Sequence, residues 1–143
     1  MNILNKQESL VSVIVNCYNG EKFLKNCIES IIQQTYSNWE IIFWDNISTD
    51  NSKKIIDSFS DDRIHYFKAK KFTKLYEARN FAIEKAKGEY ITFLDVDDWW
   101  LPKKLEKQIN LFKKNNYINM IYSNFYVFEN KSKKKKIFFE KFI

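Results

Sequence analysis

The chain has 143 residues, 45% of them hydrophobic and 17% aromatic, enough for one domain with a real core, since domains run roughly 100–200 residues. That apolar content excludes a disordered chain, and no stretch approaches the roughly 18 apolar residues of a membrane span. The net charge is +6, but Lys131, Lys133, Lys134, Lys135 and Lys136 supply five of the 24 basic residues, and without them 19 stand against 18 acidic ones, so nucleic-acid binding is not a property of the fold.

Leu10-Val11-Ser12-Val13-Ile14-Val15 reads as a buried strand, with Asn16-Cys17-Tyr18-Asn19-Gly20 as the turn after it. Phe23, Leu24, Cys27, Ile28, Ile31 and Ile32 recur at helical spacing and predict an amphipathic helix from Glu21 to Gln34. Glu40 to Trp44 is the second strand and ends at Asp45. Ser48-Thr49-Asp50 supplies N-cap chemistry for a short helix through Ile55, Ile56 and Phe59, and Arg63 to Phe67 is a third strand. Leu75, Ala78, Ala82, Ile83 and Ala86 mark another helix, closed by Gly88. Tyr90 to Leu94 follows as a strand, and Pro102 sits where a first-turn proline belongs ahead of Leu105, Ile109 and Phe112. Met120 to Phe128 and Ile137 to Phe142 look like two further strands joined by the lysine-rich segment, which reads as a solvated hairpin tip.

Strands alternating with helices imply crossover connections and a mainly parallel sheet covered on both faces, an α/β class. With no internal repeat and no Pro/Gly/Ser-rich linker, residues 1–143 read as a single domain. Met1 to Leu10 lacks the apolar block of a signal peptide, which points to the cytoplasm, while the lysine run keeps peripheral contact with anionic lipid at the inner membrane face open. Cys17 and Cys27 are the only cysteines and read as buried, reduced thiols.

The strand Tyr90 to Leu94 ends in Asp95, Asp97 and Asp98. A buried strand ending in charge must deliver that charge to a solvated edge, where carboxylates so close raise one another's pKa unless a cation neutralises them. Oxygen-only ligands suit Mg²⁺ or Mn²⁺, commonly held by one or two carboxylates with phosphates completing the shell. A solvated acidic loop, or a helix N-cap ahead of Pro102, is the alternative. Open parallel sheets bind ligands beyond the carboxyl ends of their strands. Asn16 to Asn19, Asp45-Asn46 and Asp95 to Asp98 would then share one crevice.

This ordered series resembles the family 2 glycosyltransferases, whose nucleotide-sugar-binding domain has the Rossmann-like GT-A fold. The resemblance runs through Val11 to Val15 and Tyr18-Asn19, Ser30 to Thr35, and Glu40-Ile41-Ile42 with Asp45-Asn46 and Ser48-Thr49-Asp50. It continues through Ala78-Arg79-Asn80, Ala86 to Tyr90, Phe93 to Asp98 and Leu101 to Leu105, covering residues 10 to 110. It implies that the backbone from Asn16 to Tyr18, the Tyr18 ring and the Asp45 carboxylate hold the base of a UDP-sugar, the carboxylate accepting the imide N–H of uracil. It implies that Asp95 and Asp97 bind ribose and a divalent Mn²⁺ or Mg²⁺, with Asp98 adjacent, and that Arg79 contacts the diphosphate or the sugar. The implied activity is inverting sugar transfer to a glycan or lipid-linked acceptor in bacterial surface polysaccharide synthesis. A non-catalytic nucleotide-binding remnant is the alternative, and a basic interaction module a third reading.

Two departures stand out. The common family sequence after the second strand is Asp-Asp-Gly-Ser, whereas Asp45-Asn46-Ile47-Ser48 lacks the second acid and the glycine. The family's general base lies beyond the nucleotide-binding half, in a segment this chain is expected to lack: Glu129 and Glu140 are the only late acids, and neither sits in a family-like motif. Without that acceptor-side segment, apolar area around Phe125, Phe128, Phe138 and Phe139 is expected to be exposed and to favour homo-oligomers. Trp99 and Trp100 read as packing rather than sugar stacking, and His65 as structural.

Overall fold

The computed structural model describes residues 8–127 and the backbone of residues 128 and 135–137. Two units, Met1–Lys107 and Gln108–Ile143, gather the chain's internal contacts. In the first, β1 (Val11–Cys17), β2 (Trp39–Asp45), β3 (Ile64–Lys68) and β4 (Tyr90–Phe93) form a sheet in the order β3-β2-β1-β4. All of its pairings are parallel. Helices α1 (Glu21–Ile32), α2 (Ser52–Asp57) and α3 (Leu75–Ile83) provide the crossovers, and α4 (Lys104–Lys114) begins in this unit.

Side-chain alternation assigns the two faces. Ile14 of β1 and Ile42 of β2 pack with Ala82 of α3, joined by Trp44, Phe67, Ile83 and Ala86. The opposite face carries α2, whose Lys53 ammonium lies 4.6 Å above the Tyr66 ring, itself stacked on Phe43. Helix α1 packs against α2 and buries Leu24, Cys27, Ile28 and Ile31, one stripe at helical spacing. Truncating Leu24, Ile28 or Ile31 to alanine costs about 2–5 kcal/mol. The central strands β1 and β2 are therefore apolar almost throughout, whereas β4, at the sheet's edge, leaves Ile91 and Phe93 exposed.

Several expectations shift. Helix α1 stops at Ile32, because the Gln34 side chain is taken by contacts outside the helix. Helix α2 ends before Phe59, and its N-cap Asn51 makes no side-chain cap bond. Gly88 is not a helix cap: α3 ends at Ile83, no glycine has positive φ, and a Cβ on Gly88 would stand 2.5 Å from the Ser12 nitrogen. Close approach of backbones, not helix termination, explains the residue. Pro102 lies two residues ahead of α4, and its carbonyl accepts the Thr35 N–H at 2.8 Å.

In the second unit, β5 (Tyr126–Phe128) and β6 (Lys135–Ile137) pair antiparallel, with Tyr126 opposite Ile137. The strand expected from Met120 is confined to its last three residues, and Met120, Tyr122 and Phe125 ahead of it are exposed. Lys135 and Lys136 belong to β6 rather than to a hairpin tip, while Lys131, Lys133, Lys134, Glu129, Phe138, Phe139 and Glu140 lie outside the described residues.

Candidate functional site

The strand order reverses at β1, with β2 and β3 added on one side and β4 on the other. Such a reversal opens a crevice beyond the carboxyl ends of the neighbouring strands. The segment after β1 is held by the segment after β2. Asn19 takes the left-handed φ of 53°, which asparagine tolerates, and its Oδ1 accepts the Thr49 N–H at 2.8 Å. Gly20 N–H donates to Ser52 Oγ at 3.0 Å and Glu21 N–H to Asp50 Oδ2 at 2.9 Å. The Ser48-Thr49-Asp50 motif thus serves amide donors at the start of α1, across the loop boundary. A Cβ on Gly20 would meet Val96 Cγ2 at 2.8 Å, so the glycine lets the acidic loop close on the β1 turn.

Asp45 ends β2 almost fully buried, with Oδ1 accepting the Ser48 N–H at 2.7 Å and Oδ2 accepting the Tyr66 hydroxyl at 2.6 Å. Burial and this bond to Asp45 push the Tyr66 hydroxyl's pKa well up. The neighbouring Asn46 is also buried and uses both ends of its amide on Thr73: Nδ2 donates to the carbonyl at 2.7 Å, and Oδ1 accepts the N–H at 3.1 Å. Ile47 follows with φ 67°. Asn16, on the α3 face near the end of β1, carries a buried Nδ2 without a hydrogen-bond partner, as does the Nε1 of its register neighbour Trp44.

The acidic segment is clamped along α1. Leu94 N–H donates to the Ile14 carbonyl, Asp98 N–H to the Asp95 carbonyl, and Trp100 N–H to Ser30 Oγ at 3.1 Å. Gln34 spans the segment's far end, donating to the Leu101 carbonyl at 2.9 Å and accepting the Leu105 N–H at 3.0 Å. Asp95, Asp97 and Asp98 are all exposed, and Arg79 of α3 donates to Asp95 Oδ1 at 2.5 Å while its guanidinium lies 5.5 Å from the Phe93 ring centroid. Burial, then the charges of Asp97 and Asp95, raise the Asp98 carboxyl above the usual carboxylate range. That crowding is what a divalent cation relieves, and the all-oxygen donor set suits Mg²⁺ or Mn²⁺. Among the described residues no three His, Cys, Asp or Glu side chains form a group that could hold a metal ion.

The three strand ends therefore converge at one edge of the sheet, and Arg79 joins them. His65 lies toward the other end of β3, with Nε2 3.4 Å from Glu40 Oε2. Trp100 packs beneath the Lys104 ammonium at 3.8 Å. Cys17 and Cys27 are free and buried, and burial raises both thiols. Sequence reasoning passed over the segment after β3. There Phe72 meets Tyr18 edge to face, with ring centroids 4.9 Å apart, among Lys68, Lys70, Lys71 and Lys74. Four lysines in seven residues were the available signal.

Residues 12–142 match the family model for Glycosyl transferase family 2. WfgD of Escherichia coli, a UDP-Glc:alpha-D-GlcNAc-diphosphoundecaprenol beta-1,3-glucosyltransferase, is 41% identical over 123 residues, 86% of this chain and 48% of that protein. The chain spans about half the length of such relatives. Among solved structures, S. aureus TarS 1-349 in complex with UDP is similar with a TM-score of 0.71 at 24% identity, over 74% of this chain and 32% of TarS. The mannosyltransferase PcManGT from Pyrobaculum calidifontis, in complex with GDP-Man and Mn²⁺, reaches 0.66 at 23% identity over 76% of this chain and 32% of its own. These likenesses carry the GT-A fold. On the family match and the identity to its relatives, the chain belongs to glycosyl transferase family 2.

Proposed function

We propose that this chain is the donor-binding portion of a bacterial glycosyltransferase that moves a sugar from a nucleoside diphosphate, a UDP-sugar foremost, to a glycan or lipid-linked acceptor. The observation that carries the reading is the convergence of Asn16 to Gly20, Asp45 and Asp95 to Asp98 at the switch point of a parallel sheet. WfgD, named for a UDP-Glc donor and a diphosphoundecaprenol-linked acceptor, supports the substrate classes.

Tyr18, 54% exposed, offers its ring to the base. Asp45 is almost fully buried, with its oxygens bonded to Ser48 and Tyr66, so accepting the imide N–H of uracil would require the Tyr66 hydroxyl or the Ser48 turn to move aside. Arg79 supplies positive charge for the diphosphate from within reach of Asp95. Asp97 and Asp95 would hold Mn²⁺ or Mg²⁺, which when bound offsets charge developing on the departing nucleotide. Inversion would require a carboxylate base on the acceptor side, and nucleotide binding without transfer is the second reading. Read as one domain, the chain would act in the cytoplasm, peripheral to the inner membrane face and self-associating through exposed apolar surface such as Phe125.

Calorimetric titration with UDP and with GDP tests the reading. Wild type is expected to prefer UDP, and Asp45→Ala to lose much of that preference. Equal affinity of the wild type for both nucleotides would overturn the base contact. Nucleotide binding without sugar transfer to lipid-linked acceptors would favour the second reading.

A further inference from the structure

We propose that Phe72 is a second aromatic contact for the nucleobase, beside Tyr18, and that Asn46 is the residue that positions it. This rests on the reading that a nucleoside diphosphate binds at this edge of the sheet. Tyr18 and Phe72 come from different loops, are 54% and 58% exposed, and meet at a 65° interplanar angle. Two large rings held in contact and left exposed offer stacking faces to a planar ligand. With centroids 4.9 Å apart they cannot sandwich a base between them. They form a corner: a planar heterocycle lies on the face of one ring while the other closes its edge. Exposed Lys70, Lys71 and Lys74 flank Phe72, which suits an anionic nucleotide rather than a neutral aromatic ligand.

The segment carrying Phe72 is tied down at both ends to the end of β2. Ala69 N–H donates to the Asp45 carbonyl at 2.8 Å, and Asn46 grips the Thr73 carbonyl, N–H and hydroxyl at 2.7, 3.1 and 3.2 Å. The Asn46 amide serves the carbonyl with its N–H donor and the N–H with its oxygen acceptor. An aspartate at this position has no donor for the Thr73 carbonyl and would set a negative charge against it. Asn46 thereby places Phe72 through the adjacent Thr73, without itself touching the base.

The test is a double-mutant cycle on the full chain, with UDP affinity read by calorimetry and inorganic pyrophosphate as the base-free probe. Phe72→Ala is expected to weaken UDP on the order of tenfold, the scale of one base–aromatic stack, and to leave pyrophosphate unchanged. Phe72→Tyr should restore wild-type affinity. Asn46→Asp should weaken UDP in the wild-type background and add nothing in the Phe72→Ala background. Thermal melts of each variant keep loss of folding separate, and Phe72, being exposed, can be truncated without emptying the core. If wild type binds UDP and Phe72→Ala binds it equally well, Phe72 has no such role while the nucleotide reading stands. If wild type binds no UDP, both fall. A further loss from Asn46→Asp on top of Phe72→Ala would show that Asn46 does not act through Phe72.

Discussion

Ile47 holds a φ of 67°, a backbone conformation that a β-branched side chain resists at a cost of roughly 1–2 kcal/mol. The turn demands it, because Asp45 Oδ1 takes the Ser48 N–H and Asn46 N–H reaches the Cys17 carbonyl on either side of Ile47. Glycine, the residue common at this place in the family, adopts that φ freely. Ile47→Gly is therefore expected to raise stability by about 1 kcal/mol in denaturant titration, after the glycine's entropy is allowed for; a lower midpoint would mean that the half-buried side chain contributes more than the strain costs. Lys104 is the second residue under tension. Burial lowers its ammonium to about 8, from an ordinary value of 10.5, beside Thr92 and above Trp100. Between those values the unfolded chain binds more protons than the folded one, so this group adds stability as pH rises through the window. Lys104→Met should gain on the wild type more at pH 7 than at pH 10, and a difference independent of pH would contradict the buried charge. Asp45 and the acidic cluster were legible as residues because charge ending an apolar strand is conspicuous. Arg79 was legible through the family resemblance, whereas the partners Tyr66 and Thr73 were not, since nothing local marks a hydroxyl or carbonyl as the far end of a bond.

Helix α1 does more than cover the sheet. Ser30, Gln34 and Thr35 fasten the segment from Trp100 to Glu106, so the end of the helix sets where the acidic loop lies. Strands β1 and β2 and helices α1 and α3 were readable in the sequence because their apolar spacing is regular. What spacing does not carry is contact between distant backbones. Gly88 looks like a helix stop from its neighbours alone, yet its N–H donates to Ser12 Oγ at 2.8 Å across 76 positions, and an added Cβ would lie 2.8 Å from the Leu10 carbonyl. Backbone atoms on both sides cannot yield as a flexible side chain would. Gly88→Ala is expected to cost about 1–3 kcal/mol, typical of overpacking, and to lower the melting temperature. An unchanged melt would show that β1 and the segment before β4 can separate at little cost.

For the molecule as a whole, the parallel sheet brings three polar strand ends to one edge, and one nucleoside diphosphate is small enough to touch all of them. Among the described residues no helix is long and apolar enough to cross a membrane. The charge that could draw the chain to anionic lipid sits mostly in a run whose first part lies outside the described residues. In the acidic cluster, desolvation and its neighbours' charge raise Asp98. Whether that cluster holds a divalent cation is read by calorimetric titration of UDP with and without Mn²⁺, on wild type and on Asp97→Asn. The expected result is Mn²⁺-dependent UDP binding in the wild type and its loss in Asp97→Asn, with the variant's melting temperature unchanged or higher because repulsion is relieved. Undiminished Mn²⁺-dependent affinity in Asp97→Asn would contradict it.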